Sequence, residues 1–453
     1  MFSVLTLVAL VAAADPDTSE VPAPLPVATA VTAPVTPRPE PAKLPVLPAV
    51  APPPVAAPPA PSAAATPDLT TPVPIPAEMC AAAAPGYAPP PGQGLPPVDL
   101  DDRHLGPPAS VWGEVNYLLF RLKSAPASVP LLTSPGNGQL LAGQAVGLGT
   151  ASGGSFAAGV WLNSRHTIGL AVDGFMLEQR SSTANFGSNA AGSPLLVRPF
   201  TDALLNRPAQ LFVANPGLLA GSFAVAHGAR VSGLGAAGVR NLYYCDGCRV
   251  DFRVGGRYLD LDEYEQLTQA SSTLTTGTPI LLAGQTVNPV TIGDRFRTRN
   301  QYYGATVGLR GEYSFGLVSV GVSSEIGLGN NHQTLDISGS TRSGTLVAPG
   351  GLLALPGANL SRTSTDRLAL LTEVGAHVSV QLTSRSRVTA GYQFLYLNNV
   401  ARPPSQIDSA INTRLVPTNP NFGSLSGIAS PIVTGVRDDF FLHGVRLGLE
   451  LMY

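Results

Sequence analysis

From residue 111 to the end, this chain alternates short connections with long ones, and the segments they join alternate apolar with polar residues. The short connections are Asn163-Ser164-Arg165, Cys245 to Cys248, Ser314-Phe315-Gly316 and Thr383-Ser384-Arg385. The long ones cover about 122–152, 179–222, 265–294, 339–365 and 401–437. Between them lie about ten strand-like segments, near 111–121, 153–163, 166–178, 223–243, 249–264, 295–314, 317–338, 366–382, 386–400 and 438–453. A sandwich has no reason to alternate connection length so regularly. An up-and-down barrel crossing a membrane does, with turns at one end and surface loops at the other.

The pleat supports this. In 366–382, Leu368, Leu370, Val374, Val378 and Val380 share one face, and Glu373, Gly375, His377, Ser379 and Gln381 share the other. In 317–338, Val318, Val320, Val322, Ile326 and Leu328 oppose Ser319, Gly321, Ser323 and Glu325. The final segment places Phe441, His443, Val445, Leu447, Leu449, Leu451 and Tyr453 on one side, with Arg446 and Glu450 on the other. Alternation over about nine to eleven residues matches a tilted strand crossing a bilayer, lipid on one face and lumen on the other. No run approaches about 18 apolar residues, so a spanning helix is not expected. The expected fold is all-β: a transmembrane antiparallel up-and-down β-barrel of about ten strands over 109–453. Gly233, Gly235 and Gly238 blur one strand, leaving the count between eight and twelve. Tyr117, Tyr258, Tyr303, Tyr313, Tyr392, Tyr396 and Tyr453 are candidates for aromatic girdles. Tyr453 is also the expected terminal signal for the barrel-assembly machinery, and its strand must pair with the one near Val111 to close the barrel.

The front of the chain has a different character. Residues 1–14 read as a signal peptide: an apolar run ends in Val11-Ala12-Ala13-Ala14 before Asp15, with no Lys or Arg ahead of it. Residues 15–108 are dominated by Pro and Ala, which cannot close a core, so a disordered, extended periplasmic spacer is expected there. Its expected partner is the periplasm or peptidoglycan. Charged residues make up only 12% of the chain, against about 25% in soluble domains. A net charge of −2 offers no basic surface for nucleic acid. The expected partner of the barrel is outer-membrane lipid, with both termini periplasmic.

The lumen face is expected to carry Glu114, Asp173, Asp251, Arg253, Arg257, Arg310, Glu312, Glu325, Glu373, His377, Arg387, Arg446 and Glu450. Acids and bases are mixed, so pairing across a narrow barrel competes with the lining of a channel. Other chemistry finds less support. Gly233-Leu234-Gly235-Ala236-Ala237-Gly238 spells a dinucleotide fingerprint, yet strand pattern continues on both sides where a helix is required. Cys245 and Cys248 form a lone CxxC in a turn, compatible with a disulfide in an exported protein, while Cys80 lies in the spacer. His332, His377, Asp336 and Asp366 do not assemble a hydrolase, because the two histidines fall at different depths. No cofactor, metal or catalysis is expected.

Several segments resemble the beta-barrel porin-7 family, outer-membrane barrel proteins found mainly in planctomycetes. The resemblance rests on Gly256-Arg257-Tyr258-Leu259-Asp260-Leu261-Asp262-Glu263 and on Asp294-Arg295-Phe296-Arg297-Thr298-Arg299-Asn300-Gln301-Tyr302-Tyr303-Gly304. Gly308-Leu309-Arg310-Gly311-Glu312-Tyr313, Leu328-Gly329-Asn330-Asn331-His332-Gln333 and Gly391-Tyr392-Gln393-Phe394-Leu395-Tyr396 add to it, as do Val400-Ala401-Arg402-Pro403 and Arg198-Pro199-Phe200. It covers about 111–453 and implies fold and location more than activity. The resulting expectation is porin-like passive passage of small solutes. The alternative is a closed structural or surface-contact barrel without channel activity, which gains weight because ten strands lie near the size that side chains fill. Arg295, Arg297 and Arg299 share one strand face. They have two readings: contact with anionic lipid or polysaccharide, and pairing with Asp260, Asp262 and Glu263 on the preceding strand.

Overall fold

The computed structural model describes residues 110–453, apart from 127, 136–138, 246 and 425–426. The signal-peptide and spacer expectations, and Cys80, lie outside the described residues. Ten antiparallel strands form the barrel: β1 (Val111–Leu122), β2 (Thr150–Trp161), β3 (Ile168–Leu177), β4 (Leu219–Cys245), β5 (Cys248–Thr273), β6 (Val290–Phe315), β7 (Val318–Ser343), β8 (Ser361–Thr383), β9 (Ser386–Val400) and β10 (Asp438–Met452). Each pairs with its neighbours in sequence, and β10 returns to β1. Closure runs through Glu114 opposite Glu450 and Leu118 opposite Arg446. It ends with Val111 and Tyr453 exchanging backbone hydrogen bonds of 2.9 and 2.8 Å. A closed ring satisfies every ladder donor and acceptor internally, which a strand in hydrocarbon requires. Among the described residues no helix is long and apolar enough to cross a membrane.

The outward pleat forms an apolar belt around the turn end: Val115, Leu119, Leu170, Val254, Val307, Val322, Leu328, Leu368, Val378, Leu447 and Leu449 are all exposed. Tyr258 and Tyr303 face each other across β5 and β6 at its upper edge, and Tyr313 and Tyr453 are exposed near the turns. Tyr392, near mid-belt, meets His443 at 2.5 Å, so the polar side chain among the apolar residues on that face of β10 has a partner.

Five consecutive strands are much longer than a crossing needs, β8 among them with 23 residues. β4 has 27 residues, and β5, β6 and β7 have 26 each, against about 9–11 for a bilayer. The sequence pattern placed long loops over 265–294 and 179–222. The ladder instead runs on to Thr273, resumes at Val290 and reaches back to Leu219, while the outward residues change character from apolar to Asp260, Asp262, Arg295, Arg297 and His332. The loops then fold on the extended strands. Segments 132–134, 139–142, 196–202, 207–214 and 410–411 make a small separate sheet drawn from three loops. Leu132, Leu196, Val213, Leu352, Leu355, Ile407 and Ile411 pack with Phe223, Phe296 and Ile337 of the strands into a buried core. The result is a folded cap over the loop end.

Candidate functional site

The barrel interior has three layers. Nearest the turns it is polar and ion-paired. Arg387 of β9 binds Glu450 of the adjacent β10 at 2.6 Å and reaches Glu312 of β6, three strands away. Arg257 of β5 binds Asp173 of β3 and Glu373 of β8, the latter at 2.8 Å. These two arginines therefore stitch across the lumen rather than along its wall. Arg253 adds a 3.0 Å contact to Asp173, Arg310 lies 3.7 Å from Glu312, and Arg446 lies 3.9 Å from Glu114. Arg249 and Asn241 hold Asp251 near the turns at 2.8 and 2.9 Å. Glu325 stands opposite Glu373 in the ladder, and His377 is buried among these groups. A cavity of about 100 Å³ remains between Glu114, Asp173, Arg253, Arg257, Arg310, Glu325, Glu373, His377 and Arg446. That is room for a few water molecules.

Above it the interior is apolar. Leu118, Phe120 and Leu122 of β1, Phe175 and Leu177 of β3, and Leu259 and Leu261 of β5 pack against one another. Ala369 and Leu371 of β8, Leu395 and Leu397 of β9, and Phe440 and Leu442 of β10 complete the layer, with Ala151, Val231 and Tyr302. Every barrel strand except β7 contributes; there Asn331 and Gln333 are buried instead and point at the Asn399 carbonyl.

The third layer ties the cap down through two fully buried arginines. Arg402, from the loop after β9, makes two 2.8 Å bonds to Glu263, and its guanidinium lies 5.5 Å from the Phe440 ring. Arg198, from the loop between β3 and β4, binds Asp294 at 2.9 Å and lies over Phe223 at 5.1 Å. The other Asp294 oxygen accepts the backbone N–H groups of Leu352, Leu353 and Ala354 at 2.8–2.9 Å. One carboxylate thus joins two loops to β6. Beside Glu263, burial first and the Glu263 charge second push the Glu265 carboxyl up to about 8. Burial, followed by the Arg402 charge, holds His227 down to about 4, so it is neutral although 3.9 Å from Glu263.

Glu263 corrects the pairing read from sequence. Arg297 binds Asp262 and Arg299 binds Asp260, each through two hydrogen bonds on the outside of the barrel. Glu263 is one pleat step out of phase with those aspartates, faces inward, and belongs to Arg402. Arg295 pairs with no acid there; it lies 5.5 Å from the Tyr264 ring. Cys245 and Cys248 stand opposite each other in the ladder that joins β4 and β5. His332 meets Asp366 on the outer surface at 2.9 Å, far from buried His377. Gly233, Gly235 and Gly238 lie inside β4, with no helix following. Among the described residues no three His, Cys, Asp or Glu side chains gather in a metal-binding arrangement. Sequence reasoning met Arg198, Asp294 and Arg402 only within the family motifs and gave them no role. Two of them had a visible signal, since each arginine directly precedes a proline in an otherwise apolar loop segment.

No curated protein matches the chain. Among solved structures, the outer membrane protease OmpT from Escherichia coli is 11% identical, covering 76% of this chain and 97% of that one, at a TM-score of 0.33. The toluene transporter TodX from P. putida is 9% identical over 77% and 91%, at 0.18. An anion-selective porin from Comamonas acidovorans is 9% identical over 76% and 99%, at 0.17. These are distant likenesses of fold, and no activity passes from them to this chain. The family model described as "Putative beta barrel porin-7 (BBP7)" matches residues 122–453, so the chain belongs to that family of outer-membrane β-barrels.

Proposed function

We propose that this protein is a closed, non-conducting barrel whose role is to hold its folded cap at the cell surface, with the short turns and both barrel termini on the periplasmic side. The apolar layer carries this reading. A permeation path for small solutes needs a continuous polar lumen. Here Leu118, Phe120, Leu259, Leu371, Leu395 and Phe440 meet at the middle of the barrel, and burying such side chains stabilises by about 1.5–3 kcal/mol each. Opening a path through them would forfeit that packing. The arginine stitches below and the cap above add two further obstructions. Passive solute passage is the competing reading, and the polar cavity beside the turns is too small to favour it. Tyr453, exposed where β10 meets β1, is the residue we assign to recognition by the assembly machinery.

Single-channel recording of the refolded full chain in a planar bilayer tests this. Silent insertion of barrels that still shift mobility on heating is the expected result. Steady ohmic conductance from the same preparation would overturn it in favour of the porin.

A further inference from the structure

Past the apolar belt, the outward face of β5, β6 and β7 carries a depression of about 450 Å³. Gln266 and Thr268 of β5 form one side, Ser338, Ser340 and Arg342 of β7 the other, with Thr291, Gly293 and Arg295 of β6 between them. The ladder aligns Thr268 with Gly293 and Gly293 with Ser340, so Gly293 is the floor. A Cβ there would meet only the Ser340 carbonyl oxygen, at 3.7 Å. Packing does not require glycine at this position; its effect is to leave the depression unfilled.

The charge on this face is unevenly disposed. Arg297 and Arg299, nearer the belt, are each neutralised by a bidentate aspartate. Asp336 lies opposite Arg297. Arg295 and Arg342 line the depression and are exposed, and neither forms an ion pair with a carboxylate among the described residues. Arg295 is held against the Tyr264 ring, and Arg342 donates to the Ser340 hydroxyl at 3.3 Å. Asp294 contributes to the wall, but its carboxylate is fully buried on the inward side. The depression therefore offers two guanidinium groups, several hydroxyls and an amide on a rigid sheet.

Height selects the ligand. Arg295 is eight residues beyond Tyr303 on β6. At about 3.4 Å per residue and a tilt of about 40°, it stands about 20 Å above the upper edge of the belt. The headgroup zone adds only about 6 Å on each side of the hydrocarbon, so the depression lies beyond lipid headgroups. We propose that it binds an acidic saccharide, with carboxylate, phosphate or sulfate groups taken by Arg295 and Arg342 and sugar hydroxyls by Thr268, Ser338 and Ser340.

Titration calorimetry on the full chain folded in detergent tests this with two probes, tri-galacturonate and a sulfated trisaccharide. At least one is expected to bind, with R342Q and G293L each weakening it about tenfold or more and maltotriose failing to compete. G293L keeps every charge and fills only the floor, so its loss separates a shaped site from general attraction to arginine. R342Q, one residue from the end of β7, serves if G293L fails the heat-shift test of folding. Failure of both probes to bind, or binding unchanged in the variants, would overturn the proposal. Equal competition by inorganic phosphate would reduce the site to a simple anion site and overturn the saccharide assignment. Phosphatidylglycerol vesicles displacing the sugar would do the same in favour of lipid. None of these outcomes depends on whether the lumen conducts.

Discussion

The two halves of the barrel interior use arginine in opposite ways. Near the turns, Arg257 and Arg387 span a lumen that still admits water, and the acids of Arg257, Asp173 and Glu373, remain about a fifth exposed. Near the loops, Arg198 and Arg402 are sealed from solvent together with Asp294 and Glu263. Where water can replace a lost partner, an ion pair contributes modestly. Where it cannot, removing one partner strands a charge in a medium that cannot solvate it. The turn-end charges therefore tune a polar filling, whereas the loop-end pairs decide whether the cap stays docked.

The largest effect expected from this contrast is at Arg402. Arg402→Met leaves Glu263 buried without its guanidinium and should destabilise the cap by about 3–5 kcal/mol. Protease cleavage within 401–437 should rise sharply while the barrel keeps its heat-shifted mobility. Adding Glu263→Leu should recover most of the loss, and failure to recover it would mean that the pair does more than cancel its own charge. Asp294→Asn should cost about 2–3 kcal/mol, by weakening the bond to Arg198 and the three loop amides, read as earlier cleavage near 350. Arg257→Gln should cost about 1–2 kcal/mol because water already reaches its acids.

Acidity offers a finer probe of the loop end. Glu265, raised to about 8 from an ordinary 4.5, contributes stability that is present below 4.5 and lost as pH rises through 8. His227, lowered to about 4 from 6.5, contributes stability that is present above 6.5 and lost as pH falls through 4. The two slopes oppose each other between 4.5 and 6.5, so the net decline in cap stability falls between 6.5 and 8. Denaturant melts of the cap across that window should show it, and Glu265→Gln should reduce it, with the remainder due to the Glu263 carboxyl that burial also raises. The smallest expected effect lies outside the barrel, where Arg297→Glu breaks an exposed pair and should change heat stability by less than about 1 kcal/mol.

The barrel itself was legible because period-two alternation and connection length report the same geometry. Leu447 and Leu449 against Arg446 and Glu450 leave little choice of face. The apolar layer was not legible, for a physical reason. At Phe440, Phe441 and Leu442, or Ala369, Leu370 and Leu371, both faces of the strand are apolar, and alternation cannot say that one side meets a packed interior. The extended ladders were hidden for the converse reason. Beyond Tyr258 and Tyr303 both faces of the hairpin carry charges, a pattern shared with loops, and only the register reveals Arg297 facing Asp262 outside while Glu263 faces Arg402 within. Long-range partners such as Arg198 and Asp294, 96 residues apart, leave no local periodic trace at all.

We propose that packing, not charge, closes this lumen. Paired planar-bilayer recordings of two folded variants test it most directly: one loses the stitches (Arg257→Gln with Arg387→Gln), the other softens the apolar layer (Phe120→Ser, Leu371→Ser and Leu395→Ser). The stitch variant should remain silent and the layer variant should show measurable ion leak. Conductance through the stitch variant with the apolar layer intact would contradict the account.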